Sequence, residues 1–61
     1  MNDYDFIKEG AMVFWHDPDC GLSNGVYEVI SVPEEIEDDS IILITSGLSE
    51  TEVFPTELSP L

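Results

Sequence analysis

Turn formers interrupt this chain before any helical periodicity can establish itself. Between Pro18, Gly21, Gly25, Pro33, Gly47 and Pro55 the apolar residues come in short, β-branched runs. Closely spaced runs of this kind are the pattern of a small all-β sandwich or barrel. The chain has 61 residues, which makes one domain, residues 1–61, with residues 1–8 as a lead-in segment. A chain this short buries only about 60% of the surface its unfolded form exposes, so every run has to serve one shared core.

Four strands can be located from the residues. The first runs from Ala11 to His16 and the second from Val26 to Val32, stopping at Pro33, which has no N–H to give a ladder. Between them lies a loop opened by Asp17-Pro18 and closed by Asn24-Gly25, both strong turn steps. Glu34 to Asp39 is an acidic connector, and the third strand runs from Ser40 to Ser46. Gly47-Leu48 fits a two-residue hairpin with glycine at its first central position, and Glu50 to Phe54 returns as the fourth strand. That turn sets the register, with Ile44 opposite Thr51 and Ile42 opposite Val53. The alternation predicts a core of Val13, Val29, Ile42, Ile44, Val53 and Leu58. Pro55-Thr56-Glu57-Leu58 reads as a 3₁₀ turn that delivers Leu58 to one end of the core, while Tyr4, Phe6 and Ile7 are placed to pack across an open end.

Charge limits the functions open to such a domain. Fourteen carboxylates face a single Lys8, giving a formal net charge of −13. Phosphate backbones are bound by lysine and arginine that release counterions, so nucleic acid is not an expected ligand, nor is an anionic membrane. The field attracts cations, basic peptides and basic protein surfaces. Apolar content of 43% separates the chain from acidic disordered segments, which cannot build a core. Cys20 is the only cysteine, so no internal disulfide can form. With no basic and apolar leader at Met1-Asn2-Asp3-Tyr4-Asp5, a reducing, cytoplasmic compartment is expected. Since a dimer would bring together two charges of −13, a monomer is expected ahead of a homodimer.

The residues offer little chemistry. Asp17, Asp19 and Glu28 have the first, third and twelfth spacing of a calcium loop, but Pro18 lies inside it and Leu22 stands where that loop needs glycine. His16 and Cys20 are two of the four ligands a structural zinc takes, and the chain has no second His or Cys. No metal and no cofactor are expected. Nor is a catalytic centre expected, because a nucleophilic Cys–His pair needs an orienting group and an oxyanion hole within a pocket. A sharper combination is Trp15 and Tyr27 on neighbouring strands, flanked by Asp17, Asp19 and Glu28. Aromatic faces beside carboxylates attract cationic groups, and these five residues form the candidate binding site for a basic protein or peptide.

The order of these elements, from long first loop to 3₁₀ turn, resembles the SH3-like small barrels over about Glu9 to Leu58. Glu9-Gly10-Ala11-Met12-Val13-Phe14-Trp15 is similar to the opening of KOW-type bacterial barrels, and Val53-Phe54-Pro55-Thr56-Glu57-Leu58 to the close of peptide-binding SH3 domains. The whole chain also resembles small bacterial proteins built on this barrel, a kinship that implies no activity. The resemblance implies an all-β fold, a small SH3-like barrel of about five short antiparallel strands with a C-terminal 3₁₀ turn. It departs from the RNA-contacting barrels in having Lys8 alone for a basic surface. It departs from the proline-rich-ligand binders in having Leu58 and Ser40 or Ile41 where they place aromatics. The expected function is a non-catalytic acidic interaction module. The alternative is an acidic mimic of nucleic acid that inhibits a DNA-binding protein, with Glu34-Glu35-Ile36-Glu37-Asp38-Asp39 as part of its row of charge.

Overall fold

The computed structural model describes residues 4–18, 21 and 24–61. Five strands form one antiparallel sheet: β1 (Met12–Trp15), β2 (Gly25–Ser31), β3 (Ile42–Thr45), β4 (Glu50–Val53) and β5 (Leu58–Pro60), with a 3₁₀ turn over Pro55–Glu57. Their order across the sheet is β4-β3-β2-β1-β5. The two edge strands, β4 and β5, are therefore consecutive in sequence and separated only by the 3₁₀ turn. Val53 of β4 and Leu58 of β5 join the same buried cluster as Val13, Trp15, Val29, Ile42 and Ile44. Both edges can reach one core only if the sheet curls around it, which is the all-β barrel-like arrangement expected. The radius of gyration, 10.5 Å, is what a compact chain of this length has, about 10.5 Å.

Alternation decides which side chains fill the core. In β1, Val13 and Trp15 turn inward while Met12 and Phe14 turn out. Facing them, β3 contributes Ile42 and Ile44, and all six expected core residues are buried. Ile7 joins them at 2% exposure, with Tyr4 and Phe6 packed against the cluster. The lead-in therefore caps the core as its apolar residues suggested. It is fixed there by the Gly10 N–H to the Val29 carbonyl (2.8 Å) and the Val29 N–H to the Ala11 carbonyl (2.9 Å), which carry the β1–β2 ladder past Met12.

The hairpin register is the expected one: Ile42 opposes Val53 and Ile44 opposes Thr51. Gly47 has φ of 99°, a left-handed conformation that side chains with a Cβ resist. The Thr45 hydroxyl closes the turn from both sides, donating to the Ser49 carbonyl at 2.9 Å and accepting from the Gly47 N–H at 3.0 Å.

Two features had not been located from the residues. One is the place of the fifth expected strand, because the chain after Leu58 continues as β5. Trp15 pairs with Leu58, Phe14 with Ser59 and Val13 with Pro60, and a proline is tolerated there because the strand is an edge. The other is a bulge in β2. Val29 opposes Ile44, yet Ser31, not Ile30, opposes Leu43. The extra residue resets the alternation: Ser31 faces out and Val32 packs against the core, where unbroken alternation would have placed them the other way round.

Candidate functional site

Trp15 and Tyr27 come together near the end of β1, and Asp17 follows two residues after Trp15. The Trp15 and Tyr27 rings meet edge to face, 5.5 Å between centroids at 84°. Trp15 shares its inward parity with Val13 and is only 9% exposed. Its indole N–H donates to Glu57 Oε1 at 3.0 Å, while the Glu57 carbonyl accepts from the His16 N–H at 2.8 Å. Glu57 thus ties the 3₁₀ turn to the end of β1 through side chain and backbone together. The Trp15 ring is chiefly a core element, and Tyr27, half-buried, holds more of the pair's accessible surface.

The loop beyond is fastened by Asn24, whose Oδ1 accepts from the Asp17 N–H at 2.6 Å, and by the Gly21 N–H donating to the Asp17 carbonyl at 3.2 Å. Asp17 is half-buried beside this loop. Asp19, and with it Cys20, lies outside the described residues. Among the described residues no three His, Cys, Asp or Glu side chains converge as a metal site would require.

Glu28 is parted from this cluster. It pairs with Met12 on one side and Thr45 on the other, on the outer face of the sheet, whereas the neighbouring Tyr27 points to the inner one. Consecutive residues of a strand cannot share a face, so Glu28 does not join Tyr27 in one patch as expected from the sequence. The outer face has its own character. Glu28, Glu50 and Glu52 lie on it, with Thr45 between Glu28 and Glu50 across three strands. Beside them Met12 and Val26 are 48% and 49% exposed. The Phe14 and His16 rings meet at a tilt, 4.8 Å between centroids at 55°, and His16 Nε2 is hydrogen-bonded to the Ser59 hydroxyl.

Glu57 is the acidic residue that meets the edge of the core, through the Trp15 indole. Among the described residues no polar or charged residue is buried; of the fourteen carboxylates, Asp3 and Asp19 lie outside the described residues and the others are exposed or, at Asp17 and Glu57, half-buried. No described helix is long and apolar enough to cross a membrane. The chain matches no protein-family model, no curated protein and no solved structure.

Proposed function

We propose that the protein is a non-catalytic acidic interaction module that binds a basic protein or peptide. The observation that carries this reading is the surface placement of the charge. Among the described residues no carboxylate is buried, and although Glu57 accepts from the Trp15 indole and Asp38 from the Tyr4 hydroxyl, the charge as a whole faces solvent. One lysine cannot neutralise fourteen acids, so an attractive field for cations extends from the molecule into solvent. Such a field raises association rates with positive partners and rejects negative ones. The Trp15–Tyr27 pair supports the same reading through Tyr27, whose half-buried ring can meet a cationic side chain.

The nucleic-acid mimic is the competing reading, and the outer face favours it to a degree, since Glu28, Glu50 and Glu52 spread charge across three strands. Retention of partners from host lysate on the immobilised protein, eluted in steps of rising salt, separates the two. A module retains a basic protein that duplex DNA does not displace. A mimic retains a DNA-binding protein that duplex DNA releases. Retention of neither kind at low salt contradicts both.

A further inference from the structure

Between the lead-in and the β2–β3 connector runs an open groove of about 770 Å³, within the range of about 300–1,000 Å³ common to ligand clefts. Its floor is apolar, made by Val32, Pro33 and Ile36 over the buried Ile7. Its rim is acidic: Asp5 on the lead-in and Glu9 just after it, Glu34, Glu35 and Glu37 on the connector, with Lys8 the one cation among them. The two walls are joined, since the Tyr4 hydroxyl donates to Asp38 Oδ1 across them. The connector wall is shaped by Ser40, whose hydroxyl accepts from the Glu37 N–H at 2.8 Å and whose own N–H returns to the Glu37 carbonyl at 3.0 Å. Residues more than twenty positions apart thus build one concave surface with an apolar base and a negative edge.

We infer that this groove is where the basic partner docks, and that it takes a segment carrying an apolar side chain flanked by lysine or arginine. This rests on the proposed function and gives it a place. The argument is complementarity. A purely charged ligand would leave the Val32–Pro33–Ile36 floor wet, and an uncharged apolar ligand would leave the rim carboxylates partly desolvated without partners, which is costly. A ligand with both features satisfies floor and rim together. A second copy of the chain is a poor occupant, because its only lysine is Lys8, which already lines the groove. Nucleic acid is repelled by the rim.

The test uses two synthetic peptides of lysine and arginine, one with a central tryptophan and one with serine in its place. Each is titrated into the protein and into two triple variants of equal charge change. One variant reverses the rim, Glu34→Lys, Glu35→Lys and Glu37→Lys; the other reverses the outer face, Glu28→Lys, Glu50→Lys and Glu52→Lys. All six residues are exposed, so both variants keep the core, and amide spectra verify that each is folded. The groove predicts that the tryptophan peptide binds more tightly than the serine peptide. It also predicts that rim reversal weakens binding about tenfold or more, and outer-face reversal by about threefold or less. Amide shifts should centre on residues 7–9 and 32–37. Equal losses in the two variants would overturn the groove while leaving a basic partner in place. Absence of binding by either peptide at low salt would overturn the groove and the proposed function together.

Discussion

Ile44 lies between Val29 on β2 and Thr51 on β4 and is fully buried. Ile44→Ala should cost about 2–5 kcal/mol, a large share of the stability of so small a domain, and chemical denaturation will read it as a lower midpoint. Trp15→Ala should cost about 3–5 kcal/mol, since the ring is buried and its indole N–H is bonded to Glu57. That variant therefore reports on folding before it reports on binding, and circular dichroism should show lost structure at ambient temperature. The inward fate of Trp15 was legible, for it shares the parity of Val13. So was the separation of Tyr27 from Glu28, which are adjacent in a strand. Grouping them by closeness in sequence overrode the two-residue period that decides the matter. Ile7 could be placed only in general terms, because its burial depends on contacts with strands far along the chain.

At the level of elements, the β3–β4 hairpin was the most readable part, since a glycine at the right turn position fixes the register of everything after it. Gly47→Ala should destabilise the protein by about 1–3 kcal/mol, the cost of holding a residue with a Cβ at positive φ. No neighbouring atom would obstruct the added methyl group, so the loss measures backbone strain alone. A thermal melt of the variant should show a lower midpoint with an unchanged folded spectrum. The β2 bulge was not readable, because Val29-Ile30-Ser31-Val32 satisfies alternation in either of two ways and only packing chooses between them. Likewise β5 was hidden by Pro60, a residue that argues against a strand unless its place at the sheet edge is known. The curl of the sheet, which depends on β5 pairing with β1, was to that extent known only from the order of the elements.

For the whole molecule, charge dominates. Repulsion among surface carboxylates opposes the compact state, and salt screens it over a Debye length that falls from about 30 Å at 0.01 M to about 10 Å at 0.1 M. The thermal midpoint should therefore rise with added NaCl through this range, and a fall would mean that the carboxylates act as partners within the fold. Sedimentation should give a monomer at low salt, with exposed Met12, Val26 and Phe54 insufficient to offset the meeting of two chains of −13. The acidic character was plain in the sequence. The groove was not, because its walls come from residues 4–9 and 32–37, whose meeting depends on how the lead-in caps the core. The most direct test of the functional account is a calorimetric titration of the folded protein with the tryptophan-centred basic peptide and with a counterpart in which glutamate replaces every lysine and arginine, at about 20 mM and about 150 mM NaCl. The account predicts saturable one-to-one binding of the basic peptide that weakens but persists at the higher salt, and none of the acidic one. No saturable binding of the basic peptide at either salt would contradict it.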